Sequence, residues 1–201
     1  MIKAILFDFD GVLTVDKTGS TSITNYISKK CNIPLSDVKK SYYKHNHALL
    51  KGEIVHEDMW DEFCGDLKKE ISYDILIESF IETRLDEEMI NIVKNLKHQY
   101  LIGLITDNKL DRIDTIFKKA NLYQYFDCIA VSAELKINKE SSEMFEYVSK
   151  QLQVKPNECL FIDNSEKNLV MPNSIGMKTI LFDDEKRDIK NFNIILNNLL
   201  L

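Results

Sequence analysis

Apolar and polar residues alternate in two rhythms along this chain. Five short apolar runs, at residues 2–7, 100–105, 128–131, 159–162 and 178–182, break off sharply into polar residues. Continuous runs of that length bounded by turn residues read as strands buried on both faces. Between the later runs the spacing becomes helical. Met89, Val93 and Leu96 share one face, as do Leu110, Ile113, Phe117 and Ala120, and then Met144, Val148 and Leu152. Strands alternating with helices predict right-handed crossovers and an α/β fold with a mostly parallel five-stranded core sheet covered on both sides.

Residues 16–85 contain no convincing strand. Their stripes are helical: Met59, Trp60, Phe63, Cys64 and Leu67, then Ile75, Leu76, Phe80 and Ile81, with Pro34, Ser36 and Asp37 opening a helix. So long a connection between two strands reads as an inserted α-helical module. The expected organisation is a core built from residues 1–15 and 86–201 and a helical cap domain over 16–85. The segment 189–201 is apolar enough to pack as a last helix, with 199–201 as a frayed or dimer-contacting end.

The first strand delivers the most informative chemistry. Ile5-Leu6-Phe7 runs into Asp8-Phe9-Asp10-Gly11-Val12-Leu13-Thr14, two carboxylates one residue apart and then a glycine. Open parallel sheets place their chemistry at carboxyl ends of strands. The second long strand ends in Thr106-Asp107-Asn108, where a hydroxyl and peptide N–H groups at a helix start could hold phosphate oxygens or simply cap the helix. Lys136 and Lys139 precede the helix carrying Met144 and Phe145; either ammonium could neutralise anionic substrate or be a solvated surface charge. Ile162 hands over to Asp163-Asn164-Ser165-Glu166-Lys167-Asn168, again a carboxylate at a strand end.

Composition narrows the classes. The 201 residues carry 26 Lys and Arg against 32 Asp and Glu, a net charge of −6, with 44% hydrophobic and 29% charged residues. That balance offers no basic footprint for nucleic acid or an anionic membrane. No apolar run approaches the roughly 18 residues of a membrane span. Cys31, Cys64, Cys128 and Cys159 form no CxxC pair and read as free thiols. The N-terminus enters the first strand after one lysine, unlike a signal peptide. A cytoplasmic protein is expected, monomer or homodimer.

Taken in order, the four strand-end segments resemble the motifs of the haloacid dehalogenase (HAD) superfamily, beginning with hhhDxDG. The resemblance spans residues 5–168 and implies a Rossmann-like core. The second Asp marks the family's phosphotransferases and argues against carbon–halogen chemistry. In the family pattern L-G-x-x-K-P-x-x-x-x-F, Lys139 is the motif lysine; Lys136 takes the place of the usual glycine and Glu140 of the usual proline. Asp107 stands where Asn is frequent, and Asn164 where a second acid is usual. The helical insertion is similar to the small caps of the subgroup related to haloacid dehalogenases and β-phosphoglucomutase, and Lys51-Gly52-Glu53-Ile54 resembles the branch of sugar-phosphate phosphatases such as α-D-glucose-1-phosphate phosphatase.

The resemblance implies a Mg²⁺-dependent phosphomonoesterase acting on a small phosphorylated metabolite, a sugar phosphate in expectation, through an aspartyl-phosphate. The implied catalytic residues are Asp8 (nucleophile), Asp10 (acid/base), Thr106 and Lys139. Gly11, Thr106, Asp107 and Lys139 are the implied phosphate-binding positions. Asp8, the Asp10 carbonyl and Asp163 form an oxygen set suited to Mg²⁺. Along the helix from about residue 37 to 50, Val38, Tyr42, His45 and Leu49 share one face, which makes His45 a packed core residue. Tyr43, His47 and Lys51 share another, so His47 and Lys51 are the candidate substrate contacts, against the alternative of a solvated face. The competing readings are a phosphomutase and a catalytically silent HAD-fold binding protein.

Overall fold

The sheet is built from the centre outward. In the computed structural model, which describes residues 1–200, β1 (Ala4–Phe7) is flanked by β2 (Leu101–Thr106) and β4 (Cys159–Asp163). β3 (Cys128–Val131) and β5 (Lys178–Leu181) complete the parallel order β3-β2-β1-β4-β5. The expected five-stranded parallel sheet is present, and its strands differ from the expected runs only at their ends.

The alternation of side chains along β1 explains why so short a strand is wholly apolar. Ile5 and Phe7 enter one core, Ala4 and Leu6 the other. The first face is covered by α5 (Glu87–Leu96), α6 (Leu110–Lys119) and α10 (Ile189–Leu200), through Met89, Ile113, Phe117 and Phe192. The second is covered by α8 (Ser142–Gln151) and α9 (Glu166–Ser174), through Met144, Phe145, Val148 and Leu169. A one-turn helix, α7 (Ser132–Leu135), follows β3 directly. Leu199 and Leu200 close α10, and Leu201 lies outside the described residues.

Between β1 and α5 run four helices: α1 (Gly19–Cys31), α2 (Leu35–Leu50), α3 (His56–Leu67) and α4 (Tyr73–Ile81). The chain enters and leaves this segment side by side. Thr14 bridges Leu85, the Val15 N–H donates to Arg84 O at 2.9 Å, and the Asp86 N–H donates to Leu13 O at 2.9 Å. Phe9, Val12 and Leu13 carry the apolar cluster from the sheet to Ile23, Tyr42, Phe63 and Phe80, so one continuous cluster joins helices and sheet.

One expected face is redrawn. On α6, Leu110 is exposed, while Arg112 is fully buried beside Ile113, Ile116 and Phe117. His45 is only partly buried, and its Nε2 finds no hydrogen-bond partner.

Candidate active site

Strand order reverses beside β1: β2 and β3 lie on one side, β4 and β5 on the other. A parallel sheet opens a crevice at such a switch point, outside the carboxyl ends of its strands. Asp8 follows β1 there, and Asp163 ends β4 beside it. A cavity of about 650 Å³ opens over Asp8 and is lined also by Asp10, Thr106, Asp107 and Lys139, while Asp163 is fully buried beside it.

The loop before α8 threads Lys139 between the two carboxylates. Its ammonium lies 2.6 Å from Asp8 Oδ1 and 2.7 Å from Asp163 Oδ2, and its peptide N–H donates to Asp107 Oδ1 at 3.1 Å. Asp163 is held in turn by the Ser165 N–H at 2.8 Å and by Asn168 Nδ2 at 3.1 Å. Lys136, the other lysine of that segment, lines a separate cavity, so the structure brings Lys139 to the site.

Burial dominates the electrostatics. It pushes the Asp8 carboxyl up from its usual range to about 7; Lys139 opposes the shift, and the neighbouring Asp163 charge adds to it. Lys139 is also buried, which works against its charge, yet the carboxylates of Asp8, Asp163 and Asp107 hold it firmly protonated. Burial likewise raises Asp107. One ammonium does not fully stabilise Asp8 as an anion, and a further cation would.

The donor set fits a hard divalent ion. Among the described residues no three His, Cys, Asp or Glu side chains converge as a metal centre. The expected set needs only two, Asp8 and Asp163, with the Asp10 backbone carbonyl as third ligand and water for the rest, an oxygen shell of the kind Mg²⁺ takes. Asn164 stands at this edge without supplying charge; its Nδ2 donates to Asp184 Oδ2 at 2.8 Å. Asp184 lines the cavity as well, returning a carboxylate beside the position where Asn164 lacks one.

Asp10 lies on the same cavity but is held by a different set of partners. Arg112 grips it with Nη2 to Oδ1 at 2.8 Å and Nη1 to Oδ2 at 3.0 Å, and Asn108 Nδ2 reaches Oδ2 at 2.7 Å. Thr106 is buried at the end of β2, its hydroxyl accepting from Asn108 Nδ2 at 3.3 Å.

Three expected positions are corrected. The Gly11 N–H is spent on Thr14 Oγ1 at 3.1 Å, and Gly11 does not line the cavity. Its φ of +80° and the Asn164 side chain, which a Cβ would meet at 2.2 Å, make it a turn residue rather than a phosphate holder. His47 is exposed and absent from the cavity wall. Lys51 lies beyond the last residue of α2, with Glu53 at 3.9 Å, and faces the neighbouring cavity with Lys136.

The residues that line the cavity from the inserted segment are Lys17, Thr18, Gly19, Ser20, Tyr43, Asn46 and Leu50. Lys109 faces them from the start of α6. Its Nζ donates to Ser20 Oγ at 2.8 Å, and Ser20 Oγ donates to Asn46 Oδ1 at 2.7 Å. Burial, with the Arg112 guanidinium nearby, lowers Lys109 to about 7. The expected motifs did not include Lys109 or Arg112, and they ended at Asn108 without giving it a role. The one signal available was a charge at position 112, four residues before Ile116 on the apolar stripe.

Comparison with known proteins identifies the family and the fold. A family model described as a haloacid dehalogenase-like hydrolase matches residues 2–176. D-ribitol-5-phosphate phosphatase from Bacteroides thetaiotaomicron is 23% identical over 98% of this chain and 100% of its own length. Rat bifunctional epoxide hydrolase 2 is 23% identical over 91% of this chain, which spans only 37% of that longer protein. Among solved structures, a HAD family enzyme from Bacteroides thetaiotaomicron in complex with magnesium and inorganic phosphate superposes with a TM-score of 0.72 at 21% identity, covering 90% of this chain and 94% of the other.

Proposed function

This chain belongs to the haloacid dehalogenase-like hydrolases, and within that family we propose that it is a Mg²⁺-dependent phosphomonoesterase acting on a small phosphorylated metabolite, a sugar phosphate or sugar-alcohol phosphate. The observation that carries the reading is the convergence of Asp8, Lys139 and Asp163 at the sheet's switch point, with Asp10 and Thr106 on the same cavity. The relatives named as phosphatases and the magnesium–phosphate complex of a structural neighbour support it.

A carboxylate oxygen of Asp8 forms a bond to phosphorus while the bond to the leaving oxygen breaks. Asp10 gives that oxygen its proton. The resulting aspartyl-phosphate splits one difficult displacement into two easier ones. Asp10 then takes a proton from water as the water oxygen attacks phosphorus, and Asp8 is released with inorganic phosphate. Thr106 and the Asp107 peptide N–H orient phosphoryl oxygens, and Lys139 neutralises their charge. When bound by Asp8, Asp163 and the Asp10 carbonyl, Mg²⁺ supplies the positive charge that lets an anionic phosphate approach an anionic nucleophile.

The test is p-nitrophenyl phosphate hydrolysis. Activity should need Mg²⁺, vanish with EDTA and return with added Mg²⁺, and Asp8→Asn should lower turnover by about a thousandfold or more while the protein stays folded. Metal-independent hydrolysis, or a folded Asp8→Asn protein as active as the wild type, rejects the mechanism. No hydrolysis by the wild-type protein would favour the silent binding protein.

A further inference from the structure

Arg112 is the largest fully buried side chain in the described residues, and it stands on a helix face otherwise built of Ile113, Ile116 and Phe117. A buried guanidinium is costly unless its charge is matched. Here the match is Asp10, gripped by two parallel N–H···O bonds, the strongest and most directional form of this pair. Asn108 closes the arrangement: its Nδ2 donates to the same Asp10 oxygen, and its Oδ1 accepts from Arg112 Nη1 at 3.2 Å. The Arg112 Nε has no partner, so the guanidinium's hydrogen bonds go to Asp10 and to the Asn108 that shares it.

The surroundings are shaped around this fork. The Phe9 ring centroid lies 5.7 Å from the guanidinium carbon. On another side stands Gly19, the first residue of α1, where a Cβ would come within 2.5 Å of Nη1. Only a residue without a side chain leaves the fork room. Phe9, the backbone of α1 at Gly19 and the Asn108 amide thus surround the guanidinium that grips Asp10.

We infer that Arg112 is a positioning residue for Asp10, holding its carboxyl group where it exchanges a proton with the leaving oxygen. The inference rests on the phosphomonoesterase reading above. A carboxyl group that must protonate a leaving oxygen acts only within hydrogen-bond reach and in the right orientation, and a misplacement of about 1 Å can cost a hundredfold. Arg112 is not on the cavity wall, and its side-chain hydrogen bonds go to Asp10 and Asn108, not to Asp8. Its loss therefore falls on proton transfer and spares the attack of Asp8.

Leaving-group dependence reads this difference. The parameter kcat/KM reports the steps up to aspartyl-phosphate formation. The p-nitrophenolate leaving group departs without a proton, whereas phenolate, a much stronger base, needs one. Arg112→Met should lower kcat/KM for phenyl phosphate at least about tenfold more than for p-nitrophenyl phosphate. Asp10→Asn should show the same pattern, and the double variant should be no worse than Asp10→Asn alone, as expected for residues acting as one unit. Arg112→Lys, which keeps the charge but loses the fork, should fall between. Gly19→Ala displaces the guanidinium without removing it and should give a milder form of the same selectivity; it decides the matter if Arg112→Met does not fold.

Equal losses on both substrates, or losses that add in the double variant, would make Arg112 a purely structural residue and overturn the inference. If wild-type protein hydrolyses neither aryl phosphate, or Asp8→Asn keeps full activity, the phosphomonoesterase reading fails first. If both behave as expected and only the Arg112 selectivity is missing, the positioning role alone fails.

Discussion

Asp8 carries a stability cost that follows from its task. Burial lifts its carboxyl from 3.8 to about 7, so between those values the folded protein holds a proton that the unfolded chain has released. Stability therefore falls as pH rises through that window, and the penalty is complete above about 7. Asp8→Asn cannot ionise. In metal-free buffer at pH 7.5 it should resist urea better than wild type, by about 1–3 kcal/mol, and the gain should vanish near pH 4. A variant less stable than wild type at pH 7.5 would mean that Lys139 repays the burial of Asp8 in full. Five residues of this centre, Asp8, Asp10, Thr106, Lys139 and Asp163, were legible because each follows a strand or precedes a helix in an ordered set of motifs. Arg112 was not, because a charge inside an apolar stripe has no visible partner until folding brings residue 10 and residue 112 together. For Gly11, the sequence shows that a glycine is present but not where its N–H points, which here is the Thr14 hydroxyl.

At the scale of elements, strands and amphipathic helices were legible from periodicity alone, whereas the working face of α2 was not. Tyr43, Asn46 and Leu50 are spaced i, i+3 and i+7; Tyr43, His47 and Lys51 are spaced i, i+4 and i+8. Both sets follow the helical period, and only the tertiary fold, which turns the first set onto the cavity wall, selects between them. Helix α2 also ends at Leu50, so Lys51 is carried off the stripe. The end of that helix depends on Gly52, at φ +65°, where a Cβ would lie 1.9 Å from the Ala133 carbonyl oxygen at the start of α7. A backbone oxygen cannot step aside as a side chain can. Gly52→Ala should cost more than about 2 kcal/mol in denaturant unfolding, combining the conformational penalty with the clash. A loss under about 0.5 kcal/mol would show that this approach of α2 to α7 is not kept in solution.

Over the whole molecule, the four-helix segment and the sheet meet through polar groups as well as through the shared apolar cluster. His56 on α3 joins Asp111 on α6 at 2.7 Å and the Tyr42 hydroxyl at 2.8 Å. The Ser132 hydroxyl donates to Leu50 O at 2.7 Å. Lys109, Ser20 and Asn46 form a chain of hydrogen bonds across the cavity itself. We propose that this segment is the cap that excludes water from the Asp8 centre and sets substrate choice. The side chains that can read a sugar or polyol are then the ones on the cavity wall. Asn46, half-buried on the same cavity wall as Asp8, takes the Ser20 hydroxyl on its Oδ1 and offers its amide NH₂ to substrate hydroxyl groups. Asn46→Ala should raise KM for a hydroxyl-bearing phosphomonoester substrate about tenfold, the order expected for one lost polar contact, and leave KM for p-nitrophenyl phosphate nearly unchanged, since that substrate has no hydroxyls to hold. Lys51→Ala should change neither, because Lys51 faces the neighbouring cavity. Steady-state kinetics on both variants decides between the two faces of α2. A selective effect at Lys51 and none at Asn46 would mean that the cap closes in a different register from the one seen here.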